Sequence, residues 1–381
     1  MPGKHDQPPG EQPLCRRCRE NIAALVVRTE PLCRDCFVRY VHTKAIKRME
    51  MLRVRYSALD QPRKILLPVS FGVSSISLLH ILDHHLKTQK TKTGHVGFSL
   101  VILFVDLSLV EGDGPNPALF AQLQHQYPGY QYASLPLQDV FRYLSHDDPL
   151  LDLAPGIRGD SITNDGKLSG LLNSLTSATA RADVASSLLT RIVVEYAKSV
   201  DCEAILWGDS TTKIAEKTLS ETAKGRGFSL PWATSDGESP FGINFNYPLR
   251  DVLRKELVAY VNSSDAAIST LIYEYPFQKT QPSMSSKNTT IDDLMKQYFE
   301  SVEQNFPSIV SNVVRTAGKL EISTASASDP TCSLCKMPVT SARFGIHGWG
   351  GDQQDGLLLP ALENSQRLCY GCTRSVPHTA V

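Results

Sequence analysis

No stretch of the 381-residue chain approaches the roughly 18–20 consecutive apolar residues that a membrane span requires. The first fourteen residues, MPGKHDQPPGEQPL, hold no apolar core, so no secretory signal is expected there. Charge of neither sign is in excess: Lys+Arg and Asp+Glu both number 39. That balance excludes a uniformly basic nucleic-acid binder and confines any basic surface to one locality. A hydrophobic fraction of 41% and a charged fraction of 20% exclude collagen and wholesale disorder, and allow a full core. At about 100–200 residues per domain the length fits two or three domains.

Cysteine, by contrast, is present in a pattern. Eight of the nine cysteines form four CxxC pairs, Cys15/Cys18, Cys33/Cys36, Cys332/Cys335 and Cys369/Cys372. The first two pairs are separated by 14 residues and the last two by 33. Without a secretory signal the compartment is expected to be reducing, which argues against disulfides. Two thiolates three positions apart fit one metal on a tight turn, and two such pairs close a tetrahedral four-sulfur shell, the spacing logic of structural zinc. Thioredoxin-like redox chemistry needs one CxxC opening a helix in a βαβ unit, which four pairs at the two chain ends do not resemble. A complete four-thiolate shell leaves no open coordination position, so both zinc sites are expected to be structural. His42 and His347 are the nearby alternative ligands, and both read as surface histidines. Cys202 stands alone and reads as a buried structural cysteine.

Residues 1–14 are polar and proline-rich, a disordered tail. Residues 15–62 read as a zinc knuckle followed by a basic helix. In FVRYVHTKAIKRMEMLRVRYSAL the apolar Val41, Ala45, Met49, Leu52 and Tyr56 recur every three to four residues. The other face carries Arg39, Lys44, Lys47, Arg48, Arg53 and Arg55. Between 39 and 64 there are eight lysines and arginines against two acids, a local charge of +6. Such a face is either solvated surface or a phosphate-tracking surface for RNA beside a zinc knuckle.

From 63 to 262 strands and helices alternate. RKILLPVS (63–70), FSLVILFVDL (98–107), QYASLPL and EAILWG (203–208) read as strands. SSISLLHILDHHL, PALFAQLQHQY, DVASSLLTRIVVEYAKSV (183–200), STTKIAEKTLSETAK (210–224) and PLRDVLRKELVAYV (248–261) read as helices. Residues 142–180 carry few signals, and 225–246 read as a loop. This alternation predicts an α/β fold with a doubly wound, Rossmann-like parallel sheet. Residues 263–330 form a polar linker and a helical segment, where Thr290 and Asp293 fit a capping box. Residues 331–381 form the C-terminal CxxC module.

In doubly wound sheets ligands bind beyond the carboxyl ends of strands. Two strand–helix turns fall there. Ser70-Phe71-Gly72-Val73-Ser74-Ser75 follows the first strand, where small residues would let backbone N–H groups approach an anion. Trp207-Gly208-Asp209-Ser210-Thr211-Thr212-Lys213 follows a later one. Each alone also reads as a turn with a helix cap.

Taken together, these features resemble the PP-loop pyrophosphatase family and, more narrowly, the cytoplasmic tRNA 2-thiolation protein 2 family. The likeness extends over nearly the whole chain. PP-loop enzymes carry Ser-Gly-Gly-X-Asp-Ser after the first strand. Ser70, Gly72 and Ser75 match it, while Phe71 replaces a glycine and Ser74 the acid. Their later Gly-His-Asn-Ala-Asp-Asp motif corresponds to Gly208-Asp209-Ser210-Thr211-Thr212-Lys213, without the histidine or the tandem acids. The sulfur-carrying cysteines of catalytic relatives have no counterpart in LLNSLTSATARADVASS.

Adenylyl transfer relies on positioned donors and metal-binding carboxylates, so the resemblance implies a degenerate subunit, non-catalytic or weakly catalytic, with no residue assigned a catalytic role. Ser70, Gly72, Ser74, Ser75, Gly208 and Asp209 would mark its vestigial nucleotide site, and the lost acids weigh against ATP binding. The resemblance further implies a catalytic PP-loop partner subunit, tRNA as ligand, sulfur from a ubiquitin-related modifier, a cytoplasmic location and no membrane association. Two alternatives stand beside it. One is an independent adenylating enzyme in which Asp106 and Asp209 replace the missing acids. The other is a zinc-organised scaffold that binds only protein.

Overall fold

The structure, a computed structural model, describes residues 13–50, 63–112, 114–115, 117–153, 157, 162–264, 266–273, 289–320, 331–339 and 368–376. The tail at 1–12, the basic positions Arg53 and Arg55, the apolar Leu52 and Tyr56, most of the polar linker and His347 lie outside the described residues.

In chain order, a hairpin of β1 (Leu25–Val27) and β2 (Glu30–Leu32) precedes α1 (Arg34–Arg48). Then come β3 (Arg63–Pro68), α2 (Val73–Thr93), β4 (Phe98–Asp106), α3 (Pro117–Gln126) and β5 (Gln131–Pro136). Next are α4 (Asn164–Asn173), α5 (Ala178–Ser199), β6 (Ala204–Leu206) and α6 (Thr211–Ala223). The chain continues through β7 (Gly237–Glu238), β8 (Asn244–Asn246), α7 (Arg254–Ser263), α8 (Ile291–Asn305), α9 (Pro307–Ala317) and α10 (Tyr370–Ser375).

Six strands form one sheet in the order β5-β4-β3-β6-β8-β7, parallel except for β7, which runs antiparallel to β8. Within this sheet the chain starts at β3, runs outward to β4 and β5, then returns to the other side of β3 with β6. That reversal is the switch point of a doubly wound sheet.

The strands read as apolar runs because both faces are covered. On β4, Leu100, Ile102 and Phe104 enter the core beneath α1, α2 and α7. The intervening Val101, Leu103 and Val105 enter the core beneath α5, α6, α8 and α9. Local chemistry fixes the helix starts. Ser177 and Ser210 accept the Ala180 and Lys213 N–H groups at 3.0 and 3.2 Å. The Thr290/Asp293 capping box opens α8, and Pro307 occupies the first turn of α9, where its missing N–H is harmless.

Several expectations need correction. The 225–246 segment is not only loop: it carries β7 and β8, strands of two and three residues. The 248–261 helix begins only at Arg254, because residues 248–253 form turns and Leu253 is the N-cap position, its N–H taken by Glu256. The basic helix opens at Arg34, inside the second CxxC pair. The 183–200 helix begins earlier, at Ala178. The 142–180 stretch contributes α4, with Leu168, Leu171 and Leu172 buried.

Candidate functional site

The eight paired cysteines converge as two clusters, and within each cluster the sulfurs all lie within 4.8 Å of one another. Both clusters are built the same way. In each, the first CxxC sits on a knuckle where the first cysteine's carbonyl accepts an N–H four residues on. That bond is Arg19 to Cys15 at 2.8 Å and Lys336 to Cys332 at 2.9 Å. Arg19 and Lys336 take up the left-handed backbone that closes the knuckle, with φ of 60° and 57°. The second CxxC opens a helix, with Cys33 and Cys369 as N-caps of α1 and α10. A helix N-terminus favours thiolate.

The Cys18 and Cys33 sulfurs are 3.8 Å apart, as are those of Cys335 and Cys369. Four sulfurs at about 2.3 Å from one zinc form a tetrahedron with edges of about 3.8 Å. Burial pushes the Cys15 thiol up, but N–H donors at Cys33, Cys18 and Arg17 outweigh it and bring it down to about 6. Thiol donors from Cys335, Cys369 and Cys372 lower Cys332.

Each cluster is fastened to a different face of the sheet. The C-terminal one docks on α5 and α6 through a buried ionic network. Arg226 bonds both oxygens of Asp183, one of them at 2.7 Å, and Glu221 at 2.5 and 3.1 Å. Ser375 adds a 2.8 Å bond to Asp183, and Arg226 reaches the Cys372 sulfur at 3.9 Å. The N-terminal one docks on α7. Glu256 accepts Arg28 and Tyr40, each at 3.4 Å, while its other oxygen takes the Leu253 N–H at 2.8 Å.

The two predicted turns meet at the switch point. A Cβ on Gly208 would lie 3.0 Å from the Ser75 Cα, so only glycine allows the turns to pack this closely. Yet the first turn is occupied by its own side chains. The Ser75 hydroxyl donates to the Gly72 carbonyl at 3.1 Å and accepts the Ser70 N–H at 3.3 Å. Phe71 adopts φ 59°, a glycine-like conformation, with its ring fully buried edge to face on Phe104 at 5.2 Å. Ser74 is half-buried on the first turn of α2.

Neither remaining acid reads as a metal ligand. Asp106 accepts the Ser108 N–H and hydroxyl at 2.9 and 3.1 Å. Asp209 faces Lys217 at 3.9 Å.

The basic helix divides. Lys44 donates to the Asp251 carbonyl at 3.0 Å, and burial, reinforced by Arg28, lowers its ammonium from the ordinary value. Arg48 pairs with Asp251 at 2.8 Å and Asp236 at 3.5 Å. Arg39 and Lys47 remain exposed. His42 is no surface histidine: it is half-buried and bonds the Tyr260 hydroxyl at 2.7 Å. Cys202 is buried, and burial pushes its thiol up to about 11.

Sequence reasoning did not single out Glu303 on α8. Its buried carboxylate accepts the Thr212 hydroxyl at 2.8 Å and the Lys255 N–H at 3.1 Å, capping α7 from a distant helix. No local pattern announces such a long-range partner.

Residues 290–345 match the family described as cytoplasmic tRNA 2-thiolation protein 2. Proteins of that description from Phaeosphaeria nodorum and Pyrenophora tritici-repentis are 60% and 58% identical, covering 99% of this chain and 98% of each relative. The chain belongs to the cytoplasmic tRNA 2-thiolation protein 2 family. A relative of this family from Aspergillus clavatus is 35% identical over the full length of both chains. The matched 290–345 segment contains α8, α9 and the third CxxC pair, so the helix carrying Glu303 is part of what marks a cytoplasmic tRNA 2-thiolation protein 2.

Among solved structures, the U34-tRNA thiolase NcsA from Methanococcus maripaludis superposes with a TM-score of 0.56 at 14% identity, covering 88% of this chain and 95% of that one. That likeness shows the PP-loop-type α/β fold. Among the described residues, no helix is long and apolar enough to cross a membrane.

Proposed function

We propose that the chain is the tRNA-holding, non-adenylating subunit of a cytoplasmic wobble-uridine 2-thiolation complex. It pairs with a catalytic PP-loop subunit that activates the uridine and transfers sulfur supplied by a ubiquitin-related modifier. The observation that carries this reading is the self-satisfied turn at 70–75. Ser75 takes up the Ser70 N–H and commits its own hydroxyl to the Gly72 carbonyl, and Phe71 fills the place of a backbone-exposing glycine. Adenylyl transfer needs charge stabilisation at that spot, and the nearby acids are engaged elsewhere.

Zinc is the metal the clusters favour. The 3.8 Å sulfur separations suit one tetrahedral ion. The [4Fe-4S] cluster named for NcsA binds its cysteines through separate irons and so needs sulfurs farther apart. Zinc held by all eight cysteines would contribute folding free energy at each end.

The isolated chain, loaded with zinc, should show negligible ATP–pyrophosphate exchange, and copurification from extract should recover a PP-loop subunit together with tRNA. Robust exchange by the chain alone would overturn the non-adenylating reading. Fewer than two zinc ions per chain would overturn the metal assignment.

A further inference from the structure

Between α1 and α2 lies a groove of about 460 Å³ that none of the roles above uses. His42, Lys47, Glu50, His84, His85 and Thr88 line it. The His42 and His84 rings meet edge to face with centroids 5.0 Å apart, and the Tyr260 hydroxyl holds His42 in place at 2.7 Å. Burial first, then His84, His80 and His85, lowers His42 to about 4. At neutral pH this ring is therefore uncharged, an aromatic surface rather than a cation. Arg39 lies on the same stripe of α1 as His42 and Glu50 by helical spacing. Arg39 and Lys47 are both exposed, with no ion pair among the described residues.

We infer that this groove seats one unstacked nucleotide of the RNA, its base against the imidazoles and its flanking phosphates on Arg39 and Lys47. Proteins read single-stranded RNA by stacking splayed bases on aromatic rings while cations follow the backbone. Thr88 and the Glu50 carboxylate add a hydroxyl and an acceptor for the base edge, as carboxylates do with exocyclic amines. A helical peptide needs an apolar trough, and Ile46 is the sole aliphatic hydrophobic residue in the lining. A metal needs convergent ligands, and among the described residues only the cysteine clusters converge. The inference rests on the tRNA-binding reading above and names where that RNA would sit.

The test uses the full zinc-loaded chain and an unmodified tRNA transcript. His84→Ala with His85→Ala should weaken binding about tenfold, the usual loss for one stacked base, with an unchanged salt slope. His84→Phe, which keeps an aromatic face, should bind like the parent chain. Arg39→Glu with Lys47→Glu should weaken binding and reduce the slope of log K against log salt by about 1.5. Unchanged metal content in each variant verifies the fold. Should the double-histidine variant bind normally while the charge variant weakens, the groove assignment falls and the tRNA reading stands. Should the parent chain itself fail to bind tRNA, both fall.

Discussion

Replacing Arg226 by Met should release the C-terminal cysteine module from the sheet, and do so more severely than replacing its partner Asp183 by Asn. Among the described residues the network holds two cations, Lys224 and Arg226, against three carboxylates, the buried Asp183, Glu221 near it and the partly exposed Asp292 at its edge. Removing Asp183 leaves two charges of each sign. Removing Arg226 leaves one lysine facing three acids and also strips Asp183 and Glu221 of their shared guanidinium. Breaking a buried pair on its better-connected side costs about 3–5 kcal/mol, whereas losing one charged acceptor costs about 1.5–3 kcal/mol.

The reporters are the Thr373 and Val376 amides, which bond the Cys369 and Cys372 carbonyls. Their hydrogen-exchange protection should fall by about two to three and a half decades in Arg226→Met, at roughly 1.4 kcal/mol per decade, and by about one to two in Asp183→Asn. Amides of the N-terminal module, on the opposite face, should not change. Equal losses in the two variants, or losses below threefold in both, would refute the charge-count reasoning.

Burial pushes Asp183 up, but Arg226 and Lys224 more than offset it and hold it below the ordinary value. A depressed carboxylate contributes its stability above the unfolded value near 4 and loses it as pH falls through the folded value. The advantage of the parent chain over Asp183→Asn should therefore shrink below about pH 4.

Three other outcomes are expected. Glu303→Gln should destabilise the chain by about 1.5–3 kcal/mol in urea titrations, because a buried charge-assisted cap on α7 is weakened. Phe71→Gly should lose about 2–3 kcal/mol despite relieving the left-handed backbone, since the buried ring is worth more than the relief, and should gain no adenylation. Cys202 should resist a thiol reagent in the native chain and react only on unfolding, because burial raises the thiol and shields it.

The long elements were legible from local pattern. The strand at 98–106 holds an unbroken apolar run from Leu100 to Val105, and Thr290 with Asp293 marks the start of α8. The cysteine clusters were legible too, because metal-ligand spacing is a short-range signal. The short edge strands were not. Asn244-Phe245-Asn246 has one buried side chain, and pairing with β6 rather than composition makes it a strand. The α9 helix went unread although Val310, Val314 and Ala317 recur at helical spacing behind Pro307. The partners of the basic helix are hidden for another reason. Lys44 and Arg48 looked like free charge because their partner, Asp251, lies some 200 residues away. The same blindness hid Glu303, whereas the Phe71 and Ser74 departures were visible at once.

The docking of the first cysteine module has a consequence for biosynthesis. Cys15 to Cys36 leave the ribosome early, but Arg34 grips carbonyls at Ser263 and Ser264, and Glu256 receives Arg28. At about 5–20 residues per second, the nascent module waits roughly ten to forty seconds before its landing ground emerges. During that interval a metal held by the four cysteines would have to keep it together, so metal supply while translation is under way, rather than afterwards, would govern how much of the chain matures.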